Sequence, residues 1–152
     1  MIIAAATEAD LDAIDEIEQL SFRAPWPRDT FAGELTREWA RIDVGRVDGR
    51  AGSKIVAFNN YWIVTTELHI HVIATHPSER GRGYAAQLLD HAIASAVTVG
   101  CALATLEVRR SNVAAIALYE RAGFKTVHVR ARYYQDDGED ALVMLRGLSR
   151  SV

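Results

Sequence analysis

The chain has 152 residues, of which 49% are apolar, and this is enough for one domain with a buried core, predicted to span residues 1–152. Its 17 basic and 20 acidic residues give a net charge of −3, which provides no basic surplus for nucleic acid and excludes it as the main partner. The single cysteine, Cys101, excludes an internal disulfide, and no apolar run approaches the ~20 residues of a membrane span, so we expect a cytoplasmic protein without a membrane segment.

The first part of the chain predicts a strand, two helices and a β-hairpin. The predicted elements are a strand over residues 2–6, a helix capped by Thr7, a short helix over 28–35, and strands over 41–47 and 54–64 joined by a longer turn at 48–53. The first helix is amphipathic, because apolar residues recur every third position among acidic ones: Leu11, Ile14, Ile17 and Leu20. Between the two helices, two prolines flank Trp26 and predict an irregular loop.

The second part of the chain alternates strands and helices. The predicted elements are a strand over 68–75, a helix over 82–99, a strand over 101–108, a helix over 112–122, and strands over 124–130 and 141–146. The resulting order, β-α-α-β-β-β-α-β-α-β-β, is typical of an α/β domain with one mixed sheet and helices on its faces. A right-handed crossover should make the strands at 68–75 and 101–108 parallel neighbours.

The turn over residues 80–85 joins the central strand to the next helix and combines glycine with positive charge. Gly81 and Gly83 permit positive φ and close approach of a ligand, and the following helix presents free N–H groups. Arg80 and Arg82 add charge on either side. These features favour a phosphate site, although a plain strand-to-helix connection has the same pattern.

A second group of polar residues follows the strand at 101–108. Glu107 lies near the end of that strand, where ligands bind in parallel sheets, so it should share a cleft with the glycine turn. A solvent-facing position is the ordinary alternative for Glu107. Asn112 can cap the next helix or bind a ligand, with Ser111 as the other possible cap, and Tyr119 can be a core ring or a functional hydroxyl.

Metal binding and covalent catalysis are not expected. His69 and His71 alternate on one strand, but no third ligand with supporting spacing is near them. Cys101 begins an apolar segment and no serine lies in a nucleophile-elbow motif, so the sequence offers no nucleophile.

At these residues the sequence closely resembles the GCN5-related N-acetyltransferase (GNAT) superfamily. Its acetyl-CoA signature, Gln/Arg-x-x-Gly-x-Gly/Ala, is matched by Arg80, Gly83 and Ala85. The sequence is also similar over nearly its whole length to the bacterial ribosomal-protein-alanine N-acetyltransferases within that superfamily. The matching positions are Pro25–Trp26, 106–109, 111–112, 114–120, 123–124, Tyr133–Tyr134 and 139–141.

The resemblance implies a GNAT fold, a mostly antiparallel mixed sheet of about seven strands with four helices. It also implies direct attack of an amine on acetyl-CoA, with Glu107 as general base, Tyr119 as general acid and no metal. The implied acetyl-CoA contacts are Ile73, Ala74, Thr75, Arg80, Gly81, Arg82, Gly83, Tyr84, Ala85, Ala86, Asn112 and Tyr119.

The implied acceptor is a protein N-terminal peptide, that of ribosomal protein S18, held by Trp26, Tyr133 and Tyr134. For Trp26, packing at the edge of the core is an equal alternative. Pro27 and the pair Thr75-His76 depart from the usual pattern and touch the acceptor side and the cofactor strand. One alternative function is the acetylation of lysine side chains, other N-termini or small amines. Another is that of a non-catalytic acetyl-CoA sensor. The oligomeric state is not readable from the sequence.

Overall fold

The computed structural model describes residues 1–148, which contain seven strands and four α-helices. The strands are β1 (Ile2–Ala5), β2 (Ala40–Gly49), β3 (Gly52–Val64), β4 (Glu67–Thr75), β5 (Leu103–Arg109), β6 (Lys125–Arg130) and β7 (Ala141–Gly147). The α-helices are α1 (Leu11–Ser21), α2 (Arg28–Glu34), α3 (Tyr84–Thr98) and α4 (Val113–Arg121). None of the helices in this part of the chain is long and apolar enough to cross a membrane.

All seven strands form one mixed sheet in the order β1-β2-β3-β4-β5-β7-β6. Only β4 and β5 are parallel, and α3 forms the crossover between them, while every other pair is antiparallel. The predicted fold class and the predicted parallel pair are therefore confirmed. One core cluster joins the sheet to α3 and α4, and another joins it to α1 and α2.

The buried face of helix α1 agrees with the sequence prediction except near the end of the helix. Leu11, Ile14 and Ile17 are in the core as predicted, but Leu20 is 54% exposed and Glu18 is only 2% exposed. A strict three-residue repeat drifts around a helix of 3.6 residues per turn, so Leu20 lies about 180° from Leu11. Glu18, seven residues from Leu11, returns to within about 20° of it and enters the core side.

Strand β4 carries a β-bulge at His71. In the pairing with β3, Val72 lies opposite Asn60 and Ile70 opposite Tyr61, which leaves His71 as the extra residue. A bulge interrupts the alternation of side chains along a strand. Ile70 accordingly packs with the α3–α4 cluster, whereas Val72 packs with the α1–α2 cluster.

The two parallel strands separate beyond the bulge. Pairing between β4 and β5 ends at Ile70 and Leu106, although both strands continue, β4 along β3 and β5 along β7. The facing edges of β4 and β5 therefore diverge and no longer pair with each other. We call this divergence the fork.

Several predicted element boundaries were shifted by turn geometry. The hairpin loop is shorter than predicted, because β2 and β3 remain paired up to Gly49 and Gly52, and Gly52 adopts a φ of 101°. Helix α3 begins at Tyr84, two residues later than predicted, because Gly83 is left-handed with a φ of 80°. Cys101 lies in the buried core just before β5.

Candidate active site

A cavity of about 490 Å³ lies at the fork between β4 and β5. It is enclosed by the strand ends, by α4, and by the loops α1–α2 and β6–β7. Seven residues predicted for the site line it: Trp26, Ile73, Glu107, Asn112, Tyr119, Tyr133 and Tyr134. Residues 74–75 and the glycine turn continue from the end of β4 but do not line this cavity.

Glu107 lies on β5 opposite Val143 of β7, with its carboxylate half-buried at the fork. Its Oε1 is 3.5 Å from Nη2 of Arg130. A hydrogen bond to Glu107 is also the main reason that the pKa of Tyr133 is raised, followed by burial. Glu107 is therefore held from the β6–β7 side and faces the cavity, unlike the solvent-facing position that is usual for an acid.

Tyr119 projects from α4 into the cavity and is almost completely buried. Its ring packs edge-on against Phe124, with 6.0 Å between the centroids. Burial raises the pKa of Tyr119 to about 12, so the phenol stays protonated throughout the neutral range and can donate a hydrogen bond. The core and functional interpretations of this tyrosine are thus compatible.

Asn112 is the N-cap of α4. Its Oδ1 accepts a hydrogen bond of 3.2 Å from the N–H of Ala115, while the N–H of Ser111 donates to Glu139. Asn112 also lines the cavity. Asn112 therefore caps α4 and lies beside the cavity as well.

The glycine turn has the backbone geometry of an anion site. Gly81 and Gly83 have φ values of 79° and 80°, and a Cβ added at either would meet no atom within 4 Å. No side chain caps the first turn of α3, so its N–H groups are available to a ligand. Arg80 reaches back to the carbonyl oxygen of Thr75 and to Ser21, and Arg82 lies 3.5 Å from Glu79.

The β6–β7 loop is organised around Arg109 at the end of β5. Its guanidinium binds both oxygens of Asp136 at 3.0 Å and those of Asp137 at 3.1 and 3.2 Å. It also stacks on Tyr134, 3.9 Å from the ring centroid. The loop thereby holds Tyr133 and Tyr134 edge-to-face, 5.2 Å apart, along the cavity.

The opposite wall comes from the α1–α2 loop. Trp26 packs against Phe31 and His71, with centroid distances of 5.8 and 6.4 Å, so it belongs to the edge of the core and lines the cavity at once. Arg23 of this loop reaches Asp137 of the β6–β7 loop at 3.5 Å. The two loops therefore meet across the mouth of the cavity.

Glu18, His71 and Arg109 are among the cavity residues that sequence reasoning did not assign to the site. Burial raises the pKa of Glu18 from 4.5 to about 7, whereas the hydrogen bond from the N–H of Trp26 lowers it. Burial lowers the pKa of His71, so its imidazole is neutral at pH 7. The seven-residue spacing of Glu18 from Leu11 was the available signal.

Within residues 1–148, no group of three or more His, Cys, Asp or Glu side chains is arranged to hold a metal ion. His69 and His71 both line the cavity, and the ring of His71 packs at a tilt against Trp62, with 4.2 Å between the centroids.

The geometry fits an extended donor molecule with an anionic end. The unpaired edge of β4 can pair with an extended chain, and the glycine turn at the end of that strand can hold its phosphates. Glu107 and Tyr119 lie on the opposite side of the fork, where the reactive end would lie. This arrangement suits an enzyme that transfers a group from a donor with a phosphate-containing end.

The family model for the acetyltransferase (GNAT) family matches residues 11–124. The chain is 34% identical over 149 residues to the ribosomal protein bS18-alanine N-acetyltransferase of Salmonella typhimurium, covering 97% of both chains. The crystal structure of the ribosomal-protein-S18-alanine N-acetyltransferase from Escherichia coli superposes with a TM-score of 0.88 at 35% identity, covering 99% of this chain and 96% of that one. Arabidopsis thaliana NAA60 in complex with acetyl-CoA shares the fold, with a TM-score of 0.85 at 17% identity over 97% and 98% of the two chains.

This chain belongs to the acetyltransferase (GNAT) family. The resemblance stated from the sequence is confirmed, and the protein is an acetyl-CoA-dependent N-acetyltransferase.

Proposed function

We propose that the protein acetylates the N-terminal α-amine of a protein, with the N-terminal alanine of ribosomal protein S18 as its acceptor. The observation that carries this proposal is the cavity itself, in which Glu107 and Tyr119 flank the fork between walls of Trp26 and Tyr133–Tyr134. The names of the Salmonella and Escherichia relatives support the acceptor. A ribosomal acceptor agrees with the cytoplasmic location that the sequence predicts.

Glu107 serves as the general base. The attacking amine must be neutral, and an α-amine with a pKa of about 8 is roughly one-tenth neutral at pH 7, far more than a lysine with a pKa of about 10.4. An N-terminal acceptor therefore needs only a modest base, and the cavity-facing carboxylate can take the proton directly or through a water.

Tyr119 serves as the general acid. The leaving thiolate of coenzyme A has a solution pKa near ~8.5, below the value of about 12 for this buried phenol. Full proton transfer is therefore uphill in water, but a thiolate formed in the same buried environment is destabilised too. A hydrogen bond from Tyr119 then stabilises the departing sulfur and passes its proton as the bond breaks.

Backbone groups of β4 bind the thioester end of the donor. Along Ile73, Ala74 and Thr75 the edge that faces β5 has no strand partner, so its N–H groups can stabilise the oxygen as negative charge develops. Arg80, Arg82 and the amides of residues 81–86 bind the pyrophosphate and contribute affinity, with Asn112 as a further contact.

Aromatic side chains confine the acceptor. Trp26 and the pair Tyr133–Tyr134 line the cavity from two different loops, where their rings can contact an extended peptide terminus.

Mass spectrometry of a peptide panel with varied N-termini, incubated with acetyl-CoA and the protein, tests the acceptor. We expect acetylation of the α-amine, fastest on the N-terminal sequence of S18. Acetylation confined to lysine ε-amines would overturn the N-terminal assignment. Acetyl-CoA binding without acetylation of any peptide or small amine would instead identify a sensor.

Glu107→Gln and Tyr119→Phe test the catalytic roles. Each variant should lower kcat by about 10²–10⁴-fold, the usual contribution of a general acid or base, while the KM for acetyl-CoA stays within about twofold. Glu67→Gln, at the far end of β4, is the matched control and should behave as wild type. Weaker acetyl-CoA binding with unchanged turnover in either variant would refute the assignment.

A further inference from the structure

Glu18 is buried beside the cavity with half of its carboxylate unused. Its Oε2 accepts a hydrogen bond of 2.9 Å from the backbone N–H of Trp26. Its Oε1 is shielded from solvent and has no hydrogen-bond partner. A buried polar atom without a partner is costly, so its retention needs an explanation.

Three of the other four carboxylates that are buried in the described part of the chain are held through both oxygens, whereas the contacts of the fourth, Asp43, from Tyr61 and His91, both reach its Oδ2. Glu34 is bound by Trp62 through one oxygen and by Arg37 through the other. Asp10 is bound in the same two-sided way by Thr7 and Arg46, and Glu79 by Lys54 and Arg82. Within residues 1–148, Glu18 Oε1 is the one enclosed carboxylate oxygen without a partner.

The unpartnered atoms of the chain divide into two groups by location. Glu18 Oε1 and His71 Nε2 belong to residues that line the fork cavity. The remaining ones belong to Asn59 and Asn60 of β3, which do not line it. Glu18 and His71 both lie beside Trp26 at the cavity wall, where a polar ligand could supply the missing partners.

We propose that Glu18 is a further acceptor-positioning residue, whose Oε1 accepts a hydrogen bond from an N–H donor at the amino end of the bound acceptor chain. The proposal rests on the proposed acetylation of amines in this cavity. Its geometry follows from α1, which brings Glu18 behind Trp26 and fixes the carboxylate through the Trp26 N–H. Glu18 thus places a negative charge beside the loop that lines the acceptor site, and this charge attracts the ammonium group of the acceptor.

The titratable and charged groups around Glu18 decide how pH acts on it. They are Asp15 on α1, His69 and His71 on β4, Glu107 and Arg109 on β5, Tyr119 on α4, and Tyr133 and Tyr134 on the β6–β7 loop, while Glu34 on α2 is occupied by Trp62 and Arg37. Burial raises the pKa of Glu18 to about 7, and an arriving ammonium favours the ionised form. Acceptor binding through Glu18 should therefore strengthen as pH rises through about 7.

Glu18→Gln is the decisive variant. Its amide oxygen can still accept the Trp26 N–H, but an NH₂ group replaces the free acceptor and the charge is lost. With whichever amine the wild type acetylates, the variant should raise the acceptor KM at least about tenfold at pH 8, with kcat and the acetyl-CoA KM within about twofold. Glu16→Gln, on the exposed side of the same helix, is the matched control and should leave all three constants unchanged.

The pH profile separates this role from a structural one. The wild-type to Glu18→Gln ratio of kcat/KM for the acceptor cancels the titration of the amine, and it should grow from about pH 6 to about pH 8. An unchanged acceptor KM, a flat ratio, or an equal loss of acetyl-CoA affinity would each overturn the proposal. The wild-type panel separately decides the proposed function: lysine-only acetylation overturns the N-terminal assignment while leaving Glu18 testable, and no acetylation overturns both.

Discussion

At the scale of single residues, Glu18 links the catalytic cavity to stability. Its carboxylate is held inside the protein at a cost that Glu34, for example, avoids through two-sided pairing. The protein therefore carries a proton on this group that the unfolded chain releases at lower pH. Stability and acceptor binding respond to that proton in opposite directions.

Glu18 should contribute a fall in the free energy of unfolding as pH rises from about 4.5 to about 7, because its folded-state pKa is raised over that interval. At 1.36 kcal/mol per pKa unit, this contribution is at most about 3.4 kcal/mol. Glu18→Gln should lack this component, so urea unfolding should show it gaining on the wild type between about pH 5 and about pH 8. Glu16→Gln should follow the wild type. Parallel curves for wild type and Glu18→Gln would contradict the raised pKa.

The residues that sequence reasoning found were those whose chemistry is local. Gly81 and Gly83 predict positive φ values, and Asn112 followed by an apolar run predicts a helix N-cap. Glu18 escaped notice because acids are usually exposed and because a three-residue repeat was read as the buried face. Applying the 3.6-residue period to the same sequence exposes Leu20 and buries Glu18.

At the scale of elements, the β6–β7 loop depends on one side chain from a different strand. Arg109 ends β5, yet its ion pairs with Asp136 and Asp137 and its stacking on Tyr134 shape the loop that follows β6. Sequence reasoning placed a polar turn here without its anchor. The pairing joins positions 27 or more residues apart, and local patterns do not encode such partners.

Arg109→Gln should loosen this loop and raise the acceptor KM about three- to tenfold, while acetyl-CoA binding is kept. The expected loss of stability is about 1–2 kcal/mol, from partly exposed ion pairs and one stacked guanidinium. Steady-state kinetics with both substrates, together with urea unfolding, measures the effects. Arg110→Gln removes a single exposed pair with Asp140 and serves as the control. A rise in the acetyl-CoA KM for Arg109→Gln would show that Arg109 acts on the donor instead.

The bulge at His71 and the fork that follows it are likewise invisible in the sequence. The run from Leu68 to Thr75 reads as one continuous strand, and it does pair continuously with β3 apart from the bulge. Whether the edge of β4 that faces β5 stays paired depends on where β5 diverges from it. This divergence involves two strands about 35 residues apart in the sequence. Strand order and crossover follow from general rules, but the divergence does not.

At the scale of the whole molecule, the sheet consists of two blocks joined by four residue pairs between β4 and β5. A donor bound in the fork spans both blocks and should stabilise the entire fold. At 100 times its Kd, acetyl-CoA adds about 2.7 kcal/mol, equivalent to a rise in Tm of about 5–10 °C for a chain of this size. Differential scanning fluorimetry measures this shift.

Two glycine variants make the thermal shift specific to the donor. Gly83→Ala and Gly100→Ala both place a Cβ at positive φ in open space, so each should lose a similar ~1 kcal/mol without ligand. Only Gly83→Ala should also lose most of the acetyl-CoA shift at a fixed concentration, because Gly83 begins the turn at the start of α3. Equal shifts in both variants would refute the phosphate-binding role of the turn.

The fork also determines how this protein can change over evolutionary time. The surfaces that we propose for the donor are main-chain edges and a glycine turn, so most substitutions in β4 and β5 leave their hydrogen-bonding groups in place. The surfaces that we propose for the acceptor are side chains on two loops, where every substitution alters the wall. Sequence drift should therefore preserve the choice of donor while new acceptors arise through the loops.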